Sequence, residues 1–123
     1  MVTQPDLRIM IIRTALCLIV GGMPMHAFSL DLAKQGETIF LKRCVVCHGT
    51  QADGKSDLAK IMHPPPANLR ASKLQQSDKQ RIIQEGGASV GRSPNMPGWK
   101  TELTEPEIQS VLAYLETIKA TTP

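Results

Sequence analysis

Aromatic residues are almost missing from this chain: two Phe, one Trp and one Tyr in 123 residues. So few rings leave little to stack on nucleic-acid bases, and no basic run accompanies them, so no nucleic-acid partner is expected. The same scarcity limits the core. A domain this small has little apolar surface to bury, and without large side chains its centre has to be filled by something else. No stretch alternates apolar and polar residues with period two, which excludes a half-buried sheet. Cysteine is scarce as well. Beyond Cys44 and Cys47 there is only Cys17, and no second Cys/His cluster exists, which excludes a zinc site built from two paired clusters. No Ser/His/Asp set stands out, so hydrolytic catalysis has no carrier here.

Long apolar runs are also lacking. The run Thr14 to Met23 is short of the roughly 20 residues that a bilayer span requires, and Gly21, Gly22 and Pro24 weaken the alternative, an uncleaved anchor beginning near Ile9. With Arg8 and Arg13 before it, and Ala27-Phe28-Ser29 after it as a small-x-small site, residues 1–29 read as a secretory leader cut after Ala27 or Ser29. Export to the periplasm is therefore expected, with residues 30–123 as a single mature domain without a membrane span. That fragment holds twelve basic and ten acidic residues, a net charge of +2.

What the chain does contain is Cys44-Val45-Val46-Cys47-His48. Two cysteines three apart, with a histidine directly after the second, form the attachment pattern for a c-type haem. Each thiol adds to one vinyl group as a thioether. A gap of two residues lets one helical turn present both sulfurs, and the next residue brings an imidazole to the iron as an axial ligand. A thioredoxin-like pair would need a βαβ setting that the sequence lacks. A disulfide between such close cysteines is geometrically awkward and leaves His48 without a role. A haem would also fill the hollow centre.

Around this motif the periodicity is helical. Leu32, Ala33, Gly36, Ile39 and Phe40 mark a helix from Asp31 to Arg43, with Gly36 free of a Cβ where another helix approaches. A short helix is expected at Asp57 to Ile61. His63-Pro64-Pro65-Pro66 reads as a rigid extended run that holds a backbone carbonyl against the far nitrogen of His48, and Asn68 as the cap of a turn after it. Ser77-x-x-Gln80 predicts a capping box for a helix carrying Ile82 and Ile83 and stopped by Gly86-Gly87. Thr104-x-x-Glu107, with Pro106 in the first turn, opens a helix over 105–119 with Ile108, Val111, Leu112 and Leu115 on one face.

Between the last two helices lies an aperiodic loop, Ala88 to Lys100, containing Met96 between Asn95 and Pro97. A thioether sulfur is a soft ligand that raises the potential of a His-ligated haem, and Pro94 and Pro97 stiffen the loop in advance. Met96 is the expected second axial ligand, ahead of His63 and Met62. Trp99 is expected either at the haem edge, by packing or through a propionate, or as an ordinary core residue. Lys42, Arg43, Arg92 and Lys100 form either a basic collar for an acidic partner or ordinary solvated charges.

Taken together, the attachment motif, the Met loop and the two terminal helices resemble class I cytochrome c of the small soluble bacterial mono-haem type, over nearly all of residues 31–119. The resemblance implies an all-α fold of three to five helices wrapped around one covalent haem c, with Cys44 and Cys47 as attachment sites and His48 and Met96 as iron ligands. It pairs Gly36 and Phe40 with Val111 and Tyr114 where the first and last helices cross. Pro64, Pro65 and Pro66 match the family's proline equally well. The implied role is that of an electron carrier rather than an enzyme. It would pass single electrons between redox partner proteins (a dehydrogenase, an oxidase or another cytochrome), as a monomeric shuttle or as the haem subunit of a redox complex. The competing class is a haem enzyme or gas sensor with an open sixth site, which Met96 argues against.

Overall fold

The computed structural model describes residues 25–120. The expected leader therefore lies outside the described residues, except for its end at 25–29. The elements in order are α1 (Met25–Arg43), α2 (Val45–His48), a 3-10 turn (Leu58–Lys60), α3 (Gln76–Glu85), a second 3-10 turn (Gly87–Val90) and α4 (Glu105–Thr117). The fold is all-helical, and no strand occurs among the described residues.

The first and last helices form the frame. Their crossing depends on Gly36: a Cβ there would stand 1.8 Å from the carbonyl oxygen of Ser110. Only hydrogen can occupy that position, so the two backbones touch. Beside the crossing Phe40 is fully buried, and its ring meets Tyr114 with centroids 5.3 Å apart and planes tilted by 49°. Ser110 is also fully buried. Its hydroxyl lies 2.9 Å from the Pro106 carbonyl and 2.8 Å from the Gln35 side-chain oxygen, which satisfies a polar group inside the contact. Ile108, Val111, Leu112 and Leu115 line the buried face of α4, as their spacing predicts, and Ile83, Leu103 and Ala52 complete the core.

Helix boundaries follow local chemistry, with three corrections. At α4 the Thr104 N–H and hydroxyl both donate to Glu107 Oε2 at 2.7 Å, so the predicted capping box is present. At α3 the predicted Ser77 box is not formed. The helix starts at Gln76 with Gln75 as its N-cap and no side-chain cap, so Ser77 already lies within the first turn and cannot act as a cap. Gly86 ends α3 at φ 88°, a conformation that favours glycine. Helix α1 begins six residues before the predicted Asp31, because Met25 to Leu30 contains nothing that breaks a helix. The predicted helix at 57–61 is only the 3-10 turn. Asn68 Oδ1 accepts from the Ala71 N–H at 3.2 Å, the expected cap. The buried Lys79 ammonium pairs with Glu116 and ties α3 to α4.

Candidate functional site

The end of α1 feeds directly into the motif. Cys44 N–H donates to Phe40 O at 2.8 Å, and Cys44 then serves as the N-cap of α2. His48 N–H returns to Cys44 O at 2.9 Å, and Gly49 N–H to Val45 O at 2.9 Å, before Gly49 turns the chain out at φ 75°. One helical turn therefore carries both thiols and the imidazole, as the spacing predicts. Both cysteines are free and half-buried. Burial, and then the neighbouring Cys47, pushes the Cys44 thiol up to about 11. It stays protonated at neutral pH.

His48 is buried. Its Nδ1 lies 3.2 Å from the carbonyl oxygen of Ala67. The carbonyl can only accept, so Nδ1 carries the proton and Nε2 keeps its lone pair. Burial pushes the imidazole below its ordinary pKa, against a smaller upward pull from the Ala67 hydrogen bond. The ring is neutral at pH 7, the state in which imidazole binds a metal.

The supporting carbonyl belongs to none of the three prolines that the sequence offered. It belongs to the residue after them, and the surrounding loop explains why. Leu69 N–H donates to Ala52 O at 2.8 Å, and Gly54 N–H to His48 O at 2.9 Å, so the 49–54 loop grips the chain just beyond the prolines. Gly54 lies so close that a Cβ would stand 2.4 Å from Pro66 O. On the other side Ser56 Oγ donates to Cys47 O at 2.8 Å and accepts from the Ala59 N–H at 3.0 Å, which fixes the 3-10 turn against α2.

The Met96 stretch is held along the end of α3. Gly87 N–H donates to Met96 O at 2.9 Å, Trp99 N–H to Ile83 O at 2.8 Å and Lys100 N–H to Gln84 O at 3.2 Å. Glycines permit this approach. A Cβ on Gly87 would stand 2.3 Å from Ser93 O, and one on Gly98 would stand 2.7 Å from Gln84 O. Sequence reasoning read Gly86-Gly87 as a helix stop and missed this second role; a double glycine opposite Met-Pro-Gly was the available signal. Asn95 Nδ2 donates to His63 O at 3.4 Å, which brings the Met96 loop to the segment holding Met62 and His63. Met96 and Met62 are half-buried, and His63 is exposed.

Trp99 shows the core packing that is one of its two expected roles, and its ring lies under the Arg43 guanidinium. Arg43 also reaches Glu102 at 3.6 Å, so one of the four collar charges is paired.

These residues fit a c-type haem. The donor set is two free thiols and one neutral, oriented imidazole on a single turn. Val46 within that turn, and Leu58 and Ile61 on and just after the 3-10 turn, are exposed apolar side chains, surface that an apolar cofactor can cover. Among the described residues no group of three or more His, Cys, Asp and Glu could hold a bare metal ion.

The Cytochrome c family model matches residues 33–119. Among curated proteins, the cbb3-type cytochrome c oxidase subunit CcoP of Cereibacter sphaeroides is 31% identical over 84 residues, covering 68% of this chain and 27% of that protein. CcoP of Azospirillum brasilense is 28% identical over 86 residues, covering 70% and 28%. FixP of Bradyrhizobium diazoefficiens, also a cbb3-type oxidase subunit, is 29% identical over 99 residues, covering 80% and 31%. The chain thus spans less than a third of the curated relatives it matches. A solved structure, the reducing HAO-like protein complex of Kuenenia stuttgartiensis, aligns with a TM-score of 0.58 at 26% identity, over 70% of this chain and 42% of that one.

Proposed function

The chain belongs to the cytochrome c family, and on that premise we propose that it is a class I, mono-haem electron carrier, exported to the periplasm by residues 1–29. Cys44 and Cys47 would hold the haem by thioethers, with His48 and Met96 as the residues that would bind its iron. When bound, the haem supplies the one-electron Fe(III)/Fe(II) couple. The protein's own contribution is to orient the ligands. Ala67 O sets the tautomer of His48. The Gly87–Met96 and Trp99–Ile83 hydrogen bonds hold the Met96 loop against α3. Ligands on both sides would leave no open position for a substrate.

The observation that carries this reading is the α2 turn with its N-cap, where two free thiols and a neutral imidazole lie within five consecutive residues, Cys44–His48. The relatives named above are subunits of oxidases and of a larger complex. That supports a role docked to a redox partner as well as one free in solution.

Acid-acetone extraction of the exported protein tests it. The colour is expected to stay with the polypeptide and to weaken in Cys44→Ala or Cys47→Ala. Deleting residues 1–29 is expected to leave colourless cytoplasmic protein. Haem that extracts freely removes the covalent assignment, and full haem loading without the leader removes the periplasmic one.

A further inference from the structure

The segment from His63 to Ala67 touches both sides of the site. At its far end Ala67 O accepts from His48 Nδ1 at 3.2 Å. That end is fixed, since Leu69 N–H is bound to Ala52 O at 2.8 Å and Gly54 abuts Pro66 O. At its near end His63 O accepts from Asn95 Nδ2 at 3.4 Å, and Asn95 directly precedes Met96. Between the two carbonyls stand Pro64, Pro65 and Pro66. Proline fixes its own φ and offers no N–H. Three in succession leave the segment few torsions to rotate and no donor with which to form another backbone hydrogen bond. Five ordinary residues would absorb a displacement at one end; this segment transmits it.

We propose that residues 63–67 form a stiff strut that couples the two axial sides of the site, with Asn95 as the positioning residue at its distal end. The proposal rests on Met96 being the distal ligand. Asn95 does not touch the reacting centre. It ties the Met96 loop to the same rigid piece of chain that orients His48. Movement of Met96 off the iron therefore has to break the Asn95 bond or shift the strut, and shifting the strut disturbs the Ala67 carbonyl behind His48. Helix α3 holds the Met96 loop from one side, and the strut holds it from the other.

The experiment titrates the ferric, haem-loaded exported protein with imidazole, which competes for the position of Met96. The weak sulfur-to-iron absorption band is recorded alongside. Asn95→Asp keeps the size of the side chain and removes the N–H donor; Asn95→Ala removes the donor without adding charge. Both are expected to keep the band and to bind imidazole about fivefold more tightly, the scale of one exposed hydrogen bond. Pro65→Gly keeps both accepting carbonyls and relaxes the strut, and is expected to tighten imidazole binding as well. The double variant Asn95→Ala with Pro65→Gly is expected to gain no more than the larger single change, because either alteration already uncouples the two ends. Asn95 and Pro65 are both exposed, so folding is retained, and a thermal melt checks it. An affinity within twofold of wild type for Asn95→Ala overturns the proposal, as does full additivity in the double variant. A shift in Asn95→Asp alone is a charge effect and overturns it too. A wild-type protein lacking the band overturns the Met96 assignment and the strut with it, an outcome visible before any variant is made.

Discussion

The Arg43 guanidinium carbon sits 5.9 Å from the centroid of the Trp99 ring. Arg43 is the last residue of α1, directly before the first attachment cysteine, and Trp99 lies three residues beyond Met96. One cation over one indole therefore joins the segment that carries Cys44, Cys47 and His48 to the segment that carries Met96. Glu102 holds the guanidinium from the edge at 3.6 Å.

Arg43→Gln removes the cation over the ring and the ion pair together. Each contributes about 0.5–1 kcal/mol at a partly exposed position. The expected loss is about 1 kcal/mol in the urea stability of the haem-loaded protein. Arg43→Lys, which keeps the charge but not the planar stack, is expected to fall between the two. An unchanged urea midpoint in Arg43→Gln would show that the contact contributes nothing.

Gly36→Ala places a methyl group on the Ser110 carbonyl, where the clash is backbone against backbone and no rotamer relieves it. The helices must separate, and Phe40 and Tyr114 with them. A loss of about 3 kcal/mol is expected, read as a lower melting temperature and a lower yield of haem-loaded protein. A variant as stable as wild type would mean that the crossing is looser than described.

Acid should weaken the tie between α3 and α4. The hydrogen bond from Lys79 holds the Glu116 carboxyl below its ordinary 4.5. A carboxyl whose folded pKa lies below its unfolded one adds stability that is complete above the unfolded value. That stability is lost as pH falls through the folded one. The melting temperature is expected to decline below about pH 4.5, with Glu116→Gln less stable at neutral pH and flatter in that window. Equal slopes for the two proteins below that pH would exclude Glu116 as a contributor.

Met96→Ala is expected to abolish the sulfur-to-iron band of the ferric protein, lower the reduction potential and open the ferrous protein to carbon monoxide. Met62 and His63 are near enough in the chain to substitute, so Met62→Ala and the double variant with His63→Ala accompany it. Should the band survive Met96→Ala and vanish in Met62→Ala, the carrier role stands with a different ligand. A wild-type protein that binds carbon monoxide readily has an open sixth site and belongs with enzymes or sensors.

Much of this site is readable in the sequence, for a physical reason that also marks where reading stops. Cys44, Cys47 and His48 are linked by local geometry: one helical turn fixes their relation whatever the rest of the chain does. Helical spacing likewise places Gly36 and Phe40 on one apolar stripe and Val111 on another, but that these meet, with Tyr114, at the crossing is implied only by the resemblance to cytochrome c. The Ala67 carbonyl was not legible, because every residue has one and only the path of the 49–54 loop decides which carbonyl reaches the ring. Gly87 and Gly98 were hidden differently. Their lack of a side chain matters only where α3 and the Met96 loop run side by side, a pairing no periodicity encodes. Ser77 failed as a cap because Gln75 and Gln76 extend the helix past it, and propensity alone does not rank these starts.

Gln35 and Ser110 meet across a sequence separation of 75 residues, so this fold is fastened by its two extremities. Bringing such distant segments together costs about 4 kcal/mol of chain entropy by simple loop-closure scaling, and nothing returns that until α4 exists. A chain leaving the ribosome or a translocon therefore shows its two thiols long before it can enclose anything behind them. Haem attachment is then expected to meet an open chain, with closure coming afterwards, like a clasp shut on what has already been put in place. A version ending at residue 104 is expected to take up haem covalently yet remain unfolded by circular dichroism; native helix content in that version would show that the clasp is not needed.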